Sequence, residues 1–311
     1  MAAPSSKIPV IAAILGNCAI AAMKFLVAAV SGSSAILAEA IHSVLDTLNE
    51  LLLLYGLKRS RRPPDELFPF GYGREVYFWS LIVAVLLFGA GGGMAVYEGI
   101  THLLHPRPLQ SAFWAYFVLG FAAICEAVPL AVAWRTLNRR NRVGSVFKRL
   151  HDSKDPSVFV VFCEDAAALL GLLVAFLGVY LGHRFKNSYY DGAASTIIGI
   201  ILCAVAFALV YESRGLLIGE SADPAVTRTI RSIASRDPAV AEVRTPLTMH
   251  LAPDEILLNL EVEFRTQSSA EEHMEAVVRM EEAIRAAHPA VKRIFIEARP
   301  RHERPARSIG R

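Results

Sequence analysis

The chain has 311 residues, of which 54% are hydrophobic and only 20% are charged. A soluble protein of this size and composition would expose large apolar patches, so the composition favours a membrane protein. The formal net charge of +3 is too small on so long a chain to indicate nucleic-acid binding. The cysteines are scattered through apolar runs, which indicates neither a disulfide framework nor a thiolate zinc site. They are Cys18, Cys125, Cys163 and Cys203.

Apolar runs fill most of the amino-terminal two thirds of the chain, and several are long enough to cross a bilayer core, which takes roughly 20 residues. Six membrane-spanning helices are predicted, at Ile8–Val30, Ser34–Leu57, Glu75–Leu103, Ala112–Leu137, Ser157–Leu181 and Tyr189–Tyr211. The first run lacks a small-residue cleavage pattern, so we expect a retained helix and not a signal peptide. Basic residues are concentrated in the second and fourth loops, so the positive-inside rule predicts that both termini are cytoplasmic.

After Tyr211 the pattern becomes that of a small soluble domain. Asp223-Pro224 is typical of a helix start, and Ser269 with Glu272 forms a capping box before a second helix. Strands are predicted from alternation at Val240–His250, Glu255–Phe264 and Val291–Ala298. The order α-β-β-α-β predicts a three-stranded sheet with both helices on one face, a ferredoxin-like α+β domain. We therefore expect a six-helix, all-α transmembrane domain at 1–212, a cytoplasmic domain at 213–299 and a disordered basic tail at 300–311.

The second predicted span carries a stripe of polar residues. His42 and Asp46 are four positions apart, which places them on one helix face about 6 Å apart along the axis. Glu39, Asn49 and Glu50 lie close to the same stripe. Each ionisable group in mid-bilayer costs roughly 2.5–3.5 kcal/mol to insert, and such groups usually mark an ion or proton pathway. The alternative is a polar stripe that only holds helices together.

The fifth predicted span contains the adjacent carboxylates Glu164 and Asp165. They point about 100° apart around the helix axis, so at most one faces a given site squarely. Alternatively, one of them caps the helix or pairs with a loop arginine. An imidazole with two carboxylates suits zinc, manganese, iron or cobalt, whereas copper(I) would favour the cysteines.

Other polar residues in the apolar runs have simpler interpretations. We expect Lys24 and Asn17 in the first span to extend towards the interface or to bond between helices. Asp191, near the start of the sixth span, is predicted to be a helix cap, and His102 a solvent-exposed histidine. Glu126 is a buried acid without an assigned purpose.

Several motifs resemble those of the cation diffusion facilitator family. Ser31–Ala35, followed by Glu39-Ala-Ile-His42-Ser-Val-Leu-Asp46, is similar to the family signature, and Phe68–Glu75 resembles its next block. Asp155-Pro-Ser-Val and Phe162-Cys-Glu164-Asp165 resemble the branch that contains the mitochondrial zinc transporter. The six spans and the α-β-β-α-β domain match the family architecture, so the resemblance covers nearly the whole chain.

The resemblance implies a homodimer that exports a divalent metal ion by proton antiport, with alternating access. In the family the site joins two ligands from the second span to two from the fifth, and His42, Asp46 and Asp165 match three of them. Zinc-specific members carry a histidine at the fourth position, where this chain has Val161. Glu164 is expected to substitute after a small helix rotation, or water to complete the shell. Zinc is the predicted ion, with manganese, iron and cobalt as alternatives.

The resemblance also implies a cytoplasmic gate and accessory metal sites. Arg74 matches a basic residue that pairs in relatives with an acid after the sixth span, which predicts an Arg74–Glu220 interlock. The loop site keeps only Asp65. The positions that match the carboxy-terminal metal site are Asn259, Glu297 and Arg299. We therefore expect the cytoplasmic domain to dimerise and not to bind metal.

The predicted function is that of a transporter and not of an enzyme, since the chain lacks a His-Glu-x-x-His cluster for an intramembrane hydrolase. A channel is disfavoured because several carboxylates would hold an ion too tightly for conduction. A non-transporting regulatory partner of another transporter is the main alternative. We expect no cofactor; the partners are the metal ion, protons, lipid and a second copy of the chain. A bacterial inner membrane is the predicted location.

Overall fold

The computed structural model describes residues 7–106, 112–140, 156–265 and 269–299. The chain divides into two compact units, the first comprising Met1–Arg59 with Glu75–Arg214 and the second comprising Ser60–Arg74 with Gly215–Arg311. The loop Ser60–Arg74, which the sequence assigned to the transmembrane domain, thus groups with the carboxy-terminal unit. The predicted basic tail lies outside the described residues.

The first unit is helical at every predicted span. Its helices are α1 (Lys7–Ser31), α2 (Ser34–Ser60), α3 (Glu75–Leu86), a π-helix (Leu87–Gly93), α4 (Met94–Leu104), α5 (Ala112–Arg140), α6 (Pro156–Phe185) and α7 (Tyr189–Ile218). Within the described ranges, three stretches are long and apolar enough to cross a membrane: Glu75–Leu104, Phe159–Phe185 and Tyr189–Ile218. Helix α2 is less apolar because it carries the polar stripe in its middle.

Glycines allow the stretch that contains α4 to lie directly against α7. A Cβ added at Gly99 would lie 2.5 Å from the backbone nitrogen of Thr196, and one at Gly199 would lie 2.6 Å from that of Val96. Real Cβ atoms do not come so close to backbone. Small residues permit such an approach between membrane helices and increase their van der Waals contact.

The second unit contains helices α8 (Pro224–Ser235) and α9 (Ala270–Ala287) and strands β1 (Val240–Val243), β2 (Leu247–Ala252), β3 (Glu255–Phe264) and β4 (Val291–Arg299). Strand β3 pairs antiparallel with β1 and β2 and parallel with β4. Every second residue of β3, from Ile256 to Phe264, is buried in a core shared with Ile230 of α8 and Met280 of α9. Both helices therefore cover one face of the sheet, as predicted. The predicted caps also form, since Asp223 accepts a hydrogen bond from Ala225 and Ser269 completes a capping box with Glu272.

The prediction of one strand at Val240–His250 is wrong. The segment forms two strands, β1 and β2, which both run antiparallel along the edge of β3 opposite β4. They are separated by Arg244, Thr245 and Pro246. Proline has no N–H to donate to the ladder, so pairing is interrupted there. The observed order is α-β-β-β-α-β, with four strands instead of three.

Candidate metal site

His42 and Asp46 lie on the same face of α2, as their spacing predicts. The imidazole Nδ1 of His42 is 3.3 Å from Asp46 Oδ1, and His42 is only 1% exposed. Although these two atoms are within ion-pair distance, neither makes a hydrogen bond, and His42 Nε2 is also buried without a hydrogen-bond partner. An unsatisfied buried donor or acceptor costs about 1–3 kcal/mol, so these atoms are suited to a ligand that would satisfy them.

Asp46 lines a small cavity in the first unit, which it shares with Asp165 of α6. The cavity has a volume of about 50 Å³, enough for an ion or a water molecule, and Asp165 Oδ2 is also buried without a partner. The cavity is lined by Asn17, Ile20, Ser43, Asp46, Glu50, Cys125, Glu126 and Asp165. The structure therefore brings together the second-span and fifth-span aspartates that the sequence nominated.

Glu164 has a different environment. It is buried, and its Oε1 accepts a hydrogen bond of 2.7 Å from Asn49 Nδ2 of α2. It does not line the cavity, because it projects about 100° away from Asp165 around α6. Val161, at the family's histidine position, packs against the apolar core. For Glu164 to act as a fourth ligand, α6 would have to rotate so that this carboxylate faces the cavity.

Helix α5 contributes residues that the sequence analysis did not assign to the site. These residues are Cys125 and Glu126, which both line the cavity. Glu50 of α2 lines it too, and its carboxylate accepts hydrogen bonds of 3.3 and 3.4 Å from Asn17 of α1. The signal was present in the sequence, since Glu126 is a carboxylate inside an apolar run, but no spacing linked it to α2. Across the described ranges, no three His, Cys, Asp or Glu side chains are gathered closely enough to hold a metal ion. The candidate ligands are therefore not preassembled: Asp46 and Asp165 share the cavity, whereas His42 does not line it.

Two polar residues outside the cavity differ from expectation. His102 is buried and not solvent-exposed. Its Nδ1 lies 3.9 Å from Asp191 Oδ2. Asp191 does act as a cap, but for α2 and not for its own helix α7. It accepts hydrogen bonds from Ser33 Oγ at 2.5 Å and from the backbone nitrogen of Ser34 at 2.6 Å. The helix that carries His42 is thereby fixed at its amino-terminal end by a residue on α7.

The gate residues lie in the second unit. Arg74 Nη2 contacts Met249 Sδ at 2.8 Å, and a Cβ added at Gly219 would lie 3.2 Å from the same nitrogen. Arg74 thus lies beside the residue that precedes Glu220, and the ion pair with Glu220 stays a prediction. Asp65 accepts hydrogen bonds from the Tyr72 hydroxyl and the Phe68 backbone, which hold the pKa of its carboxyl below the usual value.

Comparison with known proteins agrees with these features. A family model described as the cation efflux transmembrane domain matches residues 10–218. The proton-coupled zinc antiporter SLC30A9, mitochondrial, of Xenopus laevis is 35% identical over 243 residues, which are 78% of this chain and 44% of that protein. Metal tolerance protein C4 of Arabidopsis thaliana is 30% identical over 85% of this chain and 58% of its own. This chain thus spans about half the length of these curated relatives.

More distant relatives extend the comparison. The manganese efflux system protein MneP of Bacillus subtilis is 24% identical over 74% of this chain and 74% of its own. A solved carboxy-terminal domain of MamM matches 25% of this chain at 18% identity and a TM-score of 0.23. The family model alone covers well over half of the chain. The chain therefore belongs to the cation diffusion facilitator family of integral membrane transporters, on the branch related to the mitochondrial zinc transporter, and is not an enzyme.

Proposed function

We propose that this protein exports a divalent metal ion, zinc, in exchange for protons. The observation that carries the proposal is the set of buried, unpartnered ligand atoms on His42, Asp46 and Asp165, of which the two aspartates line one small cavity. Uncompensated ionisable groups are costly inside a membrane, so a cation or protons must neutralise them during the cycle.

The ligand chemistry favours zinc without excluding other ions. One imidazole nitrogen and carboxylate oxygens suit zinc, manganese, iron and cobalt alike. The sulfur of Cys125, in the wall of the same cavity, is a softer ligand that zinc accepts more readily than manganese does. Relatives described as zinc antiporters at 34–35% identity agree with zinc, whereas the manganese efflux protein is more distant, at 24%.

Proton coupling follows if the same side chains bind either the metal or protons. A metal ion needs a neutral imidazole and ionised carboxylates, so its binding releases protons from His42, Asp46 and Asp165. After the metal leaves on the far side, the carboxylates repel one another and protons reload the site. Exchange results because a site that holds a metal ion has no room for protons on the same atoms. Six helices would cross the bilayer and alternate the access to this site.

We further propose a homodimer in a bacterial inner membrane with both termini in the cytoplasm. The basic second and fourth loops support this orientation. The carboxy-terminal unit would contribute to dimerisation and not to metal binding. Glu297, at one accessory position, is already paired with Arg299 at 3.1 Å, which supports that assignment.

The test is metal uptake into proteoliposomes that contain only this protein, with internal pH followed at the same time. The direction of zinc uptake should reverse with the imposed pH gradient. Asp46→Asn should reduce uptake more than about a hundredfold, which exceeds the loss typical when a residue that only supports a metal ligand is replaced. Asp254→Asn, which removes a surface carboxylate paired with Lys292, is the matched control and should leave flux unchanged. Uptake that ignored the gradient would exclude antiport. A folded wild-type protein without flux of zinc, manganese, iron or cobalt would favour the non-transporting partner.

A further inference from the structure

Helix α1 places a lysine in the interior of the helical unit. Lys24 and Glu39 are both 0% exposed, and their Nζ and Oε2 atoms are 3.3 Å apart. Lys24 Nζ also donates a hydrogen bond of 2.7 Å to Ser43 Oγ. An unpaired buried charge would be very costly, so the two residues form a fixed pair with no net charge.

This pair lies directly behind the candidate metal site. Ser43, which accepts from Lys24, lines the cavity together with Asp46 and Asp165. Glu39 precedes His42 by three positions, so both lie on one face of α2. One hydroxyl group therefore separates the ammonium of Lys24 from the cavity.

The two oxygen atoms of Glu39 have different surroundings. Its Oε1 is buried without a hydrogen-bond partner. That oxygen lies against Gly171 of α6, where an added Cβ would collide with it. The ammonium of Lys24 holds the other oxygen, so Lys24 already satisfies the charge of a carboxylate that would otherwise attract the transported ion.

We propose that the Lys24–Glu39 pair sets the affinity of the site for its transported dication. Lys24 acts as a tethered counter-ion that cancels the charge of Glu39, and it thereby keeps binding weak enough for the metal to leave. The inference rests on the proposed function, since it concerns the affinity of the same site. Neither residue is a metal ligand in this scheme; both act through the electrostatic field at the cavity.

The two halves of the pair should have opposite effects when removed. Lys24→Met removes the counter-ion of Glu39, so a bound dication can neutralise that carboxylate instead; zinc binding should tighten about tenfold or more, with lower KM and lower maximal flux because release slows. Glu39→Gln leaves the positive charge of Lys24 and should weaken binding by a similar factor. The double variant K24M/E39Q restores neutrality and should bind within about threefold of wild type. A purely structural pair would change affinity in the same direction in both single variants.

The experiment is calorimetric titration of the purified full-length protein with zinc, together with KM and maximal flux in proteoliposomes. Arg59→Met and Glu75→Gln form the control. Each breaks an ion pair of 3.0 Å that lies in the same unit, and neither residue of this pair lines the cavity. Neither control should shift zinc affinity by more than about threefold.

Opposite shifts in the single variants, with recovery in the double variant, would support the proposal. If Lys24→Met does not fold, weakening in Glu39→Gln with recovery in K24M/E39Q supports it, and absence of that recovery overturns it. Shifts in one direction, or none, while the wild type binds zinc would overturn this inference alone. A folded wild type that binds neither zinc nor another divalent ion would overturn the proposed function and this inference with it.

Discussion

The cap on α2 gives the most quantitative prediction for stability. Asp191 of α7 is fully buried and accepts from Ser33 Oγ, Ser34 N, Ser34 Oγ and, at 3.4 Å, Ala35 N. Asp191→Ala would leave two backbone N–H groups at the start of α2 without an acceptor. Each such buried group costs about 1–3 kcal/mol, while the two hydroxyls can rotate to other acceptors. We expect a loss of about 2–6 kcal/mol, above the 0.5–2 kcal/mol typical of an exposed cap.

Asp191→Asn should lose roughly half as much, because its remaining oxygen can accept from Ser33 or Ser34 but not well from both. The assay is unfolding of the purified protein in mixed micelles with increasing SDS, followed by circular dichroism. The labelling rate of the half-buried thiols of Cys163 and Cys203 provides a second probe. Asp223→Ala is the control: it removes a single hydrogen bond to Ala225 at the start of α8. It should leave the unfolding of the helical unit unchanged. A change below about 0.5 kcal/mol in Asp191→Ala would refute the reasoning, since the cap would then not stabilise α2.

Two further predictions concern helix packing and the gate. Gly99→Ala should destabilise the helical unit by about 1–3 kcal/mol, because the new Cβ would meet the backbone of Thr196 at 2.5 Å. Gly120→Ala is its control, with nothing within 4 Å of the new methyl, and it should be neutral or slightly stabilising in the same SDS titration; equal effects would contradict the packing argument. For the gate, a double-mutant cycle with Arg74→Gln and Glu220→Gln should give a coupling of about 0.5 kcal/mol or more in the stability of the second unit. Additive effects would exclude the interlock.

Local patterns in the sequence were sufficient for the elements and for part of the site. The helical spans follow from apolar runs, and the shared face of His42 and Asp46 follows from their spacing of four on α2. The alternation in Glu255–Phe264 predicted which side chains of β3 are buried. The caps at Asp223 and Ser269 formed where the sequence placed them. These features depend on residues within one or two turns of each other, so helix and strand periodicity determines them.

Contacts between distant segments decided the rest. Asp165 reaches the cavity while Glu164 bonds to Asn49, because the rotation of α6 against α2 determines which carboxylate faces the site. Asp191 caps a helix more than 150 positions away, and Lys24 finds its acid on another helix. Glu126 joins the cavity only because α5 packs against α1 and α6. Periodicity fixes where a side chain lies on its own helix, but its partner depends on how the helices pack, and no local pattern encodes that arrangement.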